Sequence, residues 1–263
     1  MAEVSHERLV ETQFGARANA YVESKVHAQG ADLIALTQLA QDYPHGRVLD
    51  LGCGGGHVSF HAATHVQEVV ACDLSTDMLD LVAEIAQRRQ IKNLTTQKGY
   101  AESLPFADGA FDLVLSRYSA HHWRDLGAGL REAARVLKTD GRAGFVDVIS
   151  PGPALLDSFL QAVELLRDPS HVRDYSRAEW EMALAAARLV CEKTERFRVK
   201  LNFAEWIERM KTPPVQEEAI RALQQGISGD VRDYFEVRAD GSFCIDVVLF
   251  VTRRLDSVRL SPV

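Results

Sequence analysis

The segment Val48-Leu-Asp-Leu-Gly-Cys-Gly-Gly-Gly-His57 constrains this chain more than any other. A short apolar run leads straight into glycines, the pattern of a buried strand that turns sharply to open a helix. Glycines at such a turn let the backbone approach a ligand with no Cβ in between. As a dinucleotide fingerprint, Gly52-x-Gly54-x-x needs a third Gly or Ala at position 57, where helix and strand pack closely. Position 57 is His. The spacing reads instead as Gly52-x-Gly54-x-Gly56, a turn suited to an adenosyl amino-acid cofactor. Asp73 follows 21 residues after Gly52, at the end of the next strand candidate, where a carboxylate can accept from both ribose hydroxyls.

Around the turn, short apolar or β-branched runs alternate with helical patterns from 46 to 148, as in βαβ units of a parallel sheet. Strands are expected at 47–51, 68–72, 94–98, 111–116 and 143–148. Ser75 can cap a helix carrying Met78, Leu79, Leu81, Val82 and Ile85, and 126–137 carries a second stripe. Upstream, 31–39 reads as a helix, and 6–27 as a polar, weakly periodic arm. Ser150-Pro-Gly-Pro153 breaks the chain. Helical patterns follow at 154–167, 177–187 and 203–225, with strand-like segments at 196–201 and 243–252; the tail 255–263 is patternless.

The sequence has 263 residues, and thirty Lys and Arg against thirty-seven Asp and Glu give a net charge of −7. That sign disfavours nucleic-acid phosphates as partners. Cys53, Cys72, Cys191 and Cys244 form no Cys-x-x-Cys pair, so neither a zinc cluster nor a disulfide framework is indicated. No metal-ligand spacing recurs. MAEVSHERLVETQFG lacks an apolar signal core, and nothing approaches the ~20 apolar residues of a membrane span. A cytoplasmic protein without membrane insertion is expected.

The chain resembles the class I S-adenosylmethionine-dependent methyltransferases, in the small-molecule branch of the ubiquinone/menaquinone C-methyltransferases. The matching segments are VLDLGCGGG at 48–56, VVACDLSTDML at 69–79, AESLPFADGAFDLVLSRYSAHHW at 101–123 and REAARVLKTDGR at 131–142, with a weaker QFGARANAY at 13–21. They cover roughly residues 10–150. The resemblance implies a Rossmann-like, doubly wound α/β fold. Its seven-stranded, mostly parallel sheet would run 3-2-1-4-5-7-6, with strand 7 antiparallel and helical lid insertions. S-adenosyl-L-methionine would be the cofactor. Gly52, Gly54 and Gly56 would hold its methionine moiety, Asp50 would face the ammonium, Asp73 the ribose, and Met78 would pack under adenine. Leu74, Ala101, Glu102 and Ser116 complete the expected cofactor set. One departure stands out. Similar sequences commonly read Gly-Asp-Ala-Glu where this chain has Gly99-Tyr-Ala-Glu102. The adenine contact then falls to Tyr100 or to the backbone of Ala101 and Glu102, unless Tyr100 faces the core.

Methyl transfer is an in-line displacement that relies on alignment, with a base needed only when the acceptor must lose a proton. The segment Ser116-Arg-Tyr-Ser-Ala-His-His-Trp123 leaves the sheet where such a site lies. His121 suits a base and Arg117 an anchor for an anionic acceptor, while His122 and Trp123 suit packing. A purely structural role for His121, capping a helix or holding the turn, is the other reading. Tyr21, with Arg17 and His27, sits on the arm expected to act as a lid. His171, Arg173, Tyr175, Trp180, Trp206 and Met210 are candidates for the acceptor side. The expected organisation is one domain: arm and lid at 1–45, cofactor core at 46–148, acceptor side at 149–254 and tail at 255–263. The function expected is methyl transfer to an oxygen, carbon or nitrogen of a small molecule, by a monomer or a homodimer. A cofactor-binding regulatory protein without transfer and an NAD(P)-dependent oxidoreductase are the rivals.

Overall fold

The computed structural model describes residues 5–15 and 30–255, without the side chains of residues 14 and 15. Strand β1 (Arg47–Leu51) is buried from Val48 onward and pairs in parallel with β2 (Glu68–Asp73) on one side and β4 (Phe111–Arg117) on the other. Strand β3 (Leu94–Lys98) extends the sheet beyond β2, and β5 (Leu137–Val148) lies beyond β4. The apolar run of β7 (Phe243–Arg254) is buried over ten successive residues, because it pairs antiparallel with both β5 and β6 (Leu189–Leu201). The resulting sheet has seven strands in the order β3-β2-β1-β4-β5-β7-β6.

Alternation along the strands feeds two apolar cores. Val48, Leu113, Leu115 and Val146 belong to one, and Leu49, Leu51, Val114 and Phe145 to the other. Helices α1 (His6–Gly15), α2 (Ala31–Gln41), α3 (His57–Ala62) and α4 (Thr76–Arg88) accompany the first strands. Ser75 caps α4 by accepting from the Met78 N–H at 3.4 Å, and Met78, Leu79, Val82 and Ile85 form its buried stripe. Helix α5 (Leu126–Val136) begins where the Asp125 carboxylate accepts from the Ala128 N–H at 2.9 Å. Beyond β5 come α6 (Ala154–Arg167), α7 (Arg177–Ala186), α8 (Phe203–Met210), α9 (Pro214–Gly226) and α10 (Gly229–Phe235).

Five details differ from the sequence expectation, the first being that β5 begins at Leu137 and not at residue 143. Residues 6–15 form a helix, packed on α4, in place of an irregular arm. Strand β6 begins at Leu189, because β7 pairs with its polar first half as well as with 196–201. The 203–225 pattern is two helices: Lys211 takes a left-handed φ of 47°, and Pro214, which has no N–H to lose, starts α9. Helix α10 was not anticipated. Among the described residues no helix is long and apolar enough to cross a membrane.

Candidate active site

The order of strands reverses at β1, between β2 and β4, so a crevice opens beyond their carboxyl ends. A cleft of about 1100 Å³, counting space open to solvent, lies there. The glycine turn makes its floor. Gly52, Gly54 and Gly56 take left-handed φ of 69°, 47° and 79°, which strains any residue with a Cβ. A Cβ on Gly52 would collide with Ser119 Oγ, and one on Gly56 would stand 2.9 Å from Val82 Cγ2. At Gly54 it would meet nothing within 4 Å among the described residues, so that glycine keeps the cleft open as well as the turn relaxed. The Gly52 and Cys53 N–H groups donate to the Cys72 carbonyl at 2.8 and 3.0 Å, tying the turn to β2.

Two carboxylates face this floor. Asp73 Oδ2 accepts from the Gly54 N–H and Oδ1 from the Ser75 N–H, each at 2.9 Å. Each oxygen keeps a lone pair for a further donor, and burial pushes the carboxyl up from its ordinary value. Asp50, fully buried, accepts from the Ser59 N–H at 2.9 Å and the Ser59 hydroxyl at 2.6 Å. Burial outweighs these bonds and lifts Asp50 to about 7. A cation bound beside it would restore the charge.

Leu74, Met78, Tyr100, Ala101 and Glu102 make the opposite wall. Tyr100 is 39% exposed, so it borders the cleft and not the core. Glu102 Oε1 accepts from the Arg124 N–H at 2.8 Å and fastens the loop after β4. Helix α1 roofs the cleft with His6, Glu7 and Val10. It is tied by a hydrogen bond from His6 Nε2 to the His122 carbonyl at 3.0 Å, by the Glu11–Lys98 ion pair at 2.6 Å and by the Glu7–Arg124 ion pair.

A second cavity, of about 670 Å³, shares Tyr118 and His122 with the first. Tyr118 holds a left-handed φ of 53° that keeps its ring at this partition. Val148, Val199, Leu201, Ile245 and Trp206 give the cavity an apolar wall, and His121, Glu164, Arg167, Asp168, Asp174 and Arg209 a polar one. His121 Nδ1 donates to Asp147 Oδ1 at 2.6 Å, and its backbone N–H donates to Asp147 Oδ2 at 3.1 Å. Burial opposes a charged imidazole here, but the Asp147 carboxylate outweighs it, with help from Asp174 and Glu164, and raises His121 to about 9. Burial and the neighbouring His121 push His122 down, and its Nδ1 meets the Ser170 carbonyl at 3.1 Å.

Of the residues singled out in the sequence, Asp50, Gly52, Gly54, Asp73, Leu74, Met78, Ala101, Glu102 and Arg117 line the first cleft together. Gly56 stands behind it as the cap of α3. Ser116 is buried within β4, outside both linings, with no hydrogen bond to its Oγ among the described residues. Arg117 is buried against Asp32 of α2, with Nε 2.5 Å from Oδ2, so its charge is already matched within the fold. His121 lies in the second cavity, not the first. Tyr21, Arg17 and His27 fall outside the described residues. On the acceptor side, Trp206 lines the second cavity. His171 bonds Gln161 at 3.0 Å, Arg173 bridges Glu179 and Asp157, Trp180 stacks on Phe250 in the core, and Met210 is fully buried. Tyr175 borders a shallow outer groove. Asp32, Asp147, Tyr118 and Asp174 were not anticipated: each acquires its meaning from a residue distant in sequence.

A methyltransferase domain family matches residues 49–145, which span the glycine turn, Asp73 and the loop after β4. The chain is 36% identical over 244 residues to the uncharacterized methyltransferase YcgJ of Bacillus subtilis (strain 168), covering 91% of this chain and 96% of that one. The crystal structure of YcgJ superimposes with a TM-score of 0.83 at 34% identity, over 87% of this chain and all of YcgJ. The chain belongs to the class I S-adenosylmethionine-dependent methyltransferases. Its cofactor is S-adenosyl-L-methionine, and the cleft suits that molecule, with a buried carboxyl for an ammonium, a second carboxyl for hydroxyls and an open glycine turn between them. The methyltransferase is also 50% identical to the uncharacterized protein YafE of Escherichia coli (strain K12), over 75% of this chain and 96% of YafE. Similarity to the ubiquinone/menaquinone biosynthesis C-methyltransferase of Geotalea uraniireducens (strain Rf4) is 33% over 110 residues, 40% of this chain and 47% of that one. It leaves most of each chain unmatched.

Proposed function

We propose that the enzyme methylates a small molecule held in the second cavity, across the partition of Tyr118 and His122. The observation that carries this reading is that partition: two cavities share one thin wall, and His121, held by Asp147, borders the second. In this reading Gly52 and Gly54 receive the amino-acid part of the cofactor and Asp50 its ammonium. Asp73 receives the ribose, and Leu74, Met78, Tyr100 and Ala101 the adenine. When bound, the cofactor supplies an electrophilic methyl group: an acceptor–carbon bond forms as the carbon–sulfur bond breaks, and S-adenosylhomocysteine remains. Helix α1 excludes water from the cleft, and helices α6 to α10 form the acceptor side of a single catalytic unit.

His121 Nε2 takes the proton that an O–H, N–H or C–H acceptor must lose. With its pKa near 9, the imidazole is matched to acceptor protons of the phenol range, ~10. At neutral pH it is charged in the free enzyme, so kcat/KM for such an acceptor rises tenfold per pH unit towards pH 9. His121→Gln should lower turnover by about 10²–10⁴, abolish that rise, and leave S-adenosylhomocysteine affinity unchanged. Full activity in the variant would return His121 to a structural role.

A further inference from the structure

The second cavity holds more charge than a purely apolar acceptor would need, and its partners show which charge is unmatched. Arg167 donates to Glu164 Oε2 at 3.3 Å and to the Trp206 carbonyl at 3.0 Å. Asp168 accepts from the Ser170 N–H and hydroxyl at 2.8 and 2.6 Å, His121 is held by Asp147, and Arg209 is itself engaged. Asp174 differs. Its side chain is 1% exposed and lines the cavity, yet Oδ2 has no hydrogen-bond partner among the described residues. Its backbone is pinned on both sides by Gln161, whose Oε1 accepts from the Asp174 N–H at 3.1 Å and whose Nε2 donates to the Asp174 carbonyl at 2.8 Å. The backbone is therefore fixed while Oδ2 is left without a donor among the described residues.

A buried carboxyl left without a partner is costly unless something arrives to satisfy it. Resting on the acceptor-site reading above, we propose that Asp174 is the anchor for a protonated amine on the acceptor, whose hydrocarbon body packs on Val148, Val199, Ile245 and Trp206. An anion fits poorly, because the lining guanidinium and imidazolium groups already have partners in the fold, whereas Asp174 Oδ2 has none among the described residues. Burial, then the charge of Glu164 and, less strongly, of Asp147 and Asp157, hold the Asp174 carboxyl well above the usual carboxylate range, against the opposing charge of His121. An arriving ammonium favours the ionised carboxylate, so amine binding is coupled to proton release. The anchored nitrogen carries no lone pair, so the methylated atom is a different one, next to Tyr118 and His122.

The test is calorimetric titration of the full-length enzyme, saturated with S-adenosylhomocysteine, with phenethylamine, 3-phenylpropionate and 3-phenylpropanol. The amine should bind at least about tenfold more tightly than the other two, and Asp174→Asn should remove that preference. Titrations in buffers of different ionisation enthalpy should show net proton release on amine binding in the wild type and less in Asp174→Asn. A merely structural Asp174 would not produce that signal. Preference for the carboxylate or the alcohol, or an amine affinity and proton count unchanged in Asp174→Asn, would overturn the anchor. Transfer of labelled methyl to small molecules, measured in Ile245→Trp with S-adenosylhomocysteine affinity as the folding control, tests the cavity separately. Loss of transfer without amine preference keeps the acceptor site and overturns the anchor. Unchanged transfer in Ile245→Trp overturns the acceptor site and the anchor with it.

Discussion

Asp50→Asn is expected to stabilise the enzyme without cofactor while weakening its grip on the cofactor. In the folded protein burial raises this carboxyl from 3.8 to about 7. Between those values the unfolded chain has released the proton that the folded protein keeps. Stability therefore falls as pH rises through the window, by about 1.4 kcal/mol per pH unit. Over the full interval the loss is about 4 kcal/mol, complete above pH 7. Asparagine has the same shape, can still accept from the Ser59 N–H and hydroxyl, and does not titrate. In urea unfolding without cofactor, the variant should therefore match the wild type near pH 4 and exceed it by up to about 4 kcal/mol at pH 8. Affinity for S-adenosylhomocysteine at pH 8 should fall by about 2–4 kcal/mol, some 30- to 1000-fold in Kd, because the ammonium loses its buried counter-charge. An Asp50→Asn protein no more stable than the wild type at pH 8, or one with unchanged affinity, would refute the reasoning.

Asp73→Ala should cost about 1–3 kcal/mol of S-adenosylhomocysteine affinity by calorimetry, through lost hydrogen bonds to the ligand and a loosened Gly54 N–H; unchanged affinity would put the ribose elsewhere. In the roof, His6→Ala combined with Glu11→Ala removes two ties of α1, one of them a surface ion pair worth ~0.2–1 kcal/mol. Stopped-flow displacement should show S-adenosylhomocysteine leaving several-fold faster, and an unchanged rate would remove α1 from the path of release.

The cofactor half of the molecule is legible in the sequence because its determinants are local. The run from Val48 through the glycines to Asp73 carries strand, turn and carboxylate within one βαβ unit, and the apolar stretch of β7 announces a buried strand by itself. The first half of β6 does not read as a strand because it is an edge: its exposed residues include the charged Glu192 and Lys193, and only pairing with β7 makes it a strand. The 203–225 pattern reads as one helix because apolar stripes lie on both sides of Pro213-Pro214, where the chain breaks. Residues 6–15 lack a strong stripe and are helical through packing on α4. The acceptor side resisted reading for a different reason. Arg117 meets Asp32 from 85 positions away, and His121 meets Asp147 from 26. Those meetings turn an expected anion anchor into a buried ion pair, and an imidazole of ordinary basicity into one raised to about 9.

The central claim is geometric: the cofactor lies in the first cleft and delivers its methyl group through the Tyr118–His122 partition. A crystal structure of the enzyme with S-adenosylhomocysteine tests it most directly. The account predicts the ribose hydroxyls on Asp73, the ammonium beside Asp50 and the sulfur directed at the partition, facing the second cavity. A ribose away from Asp73, or a sulfur turned from Tyr118 and His122 towards solvent, would contradict it.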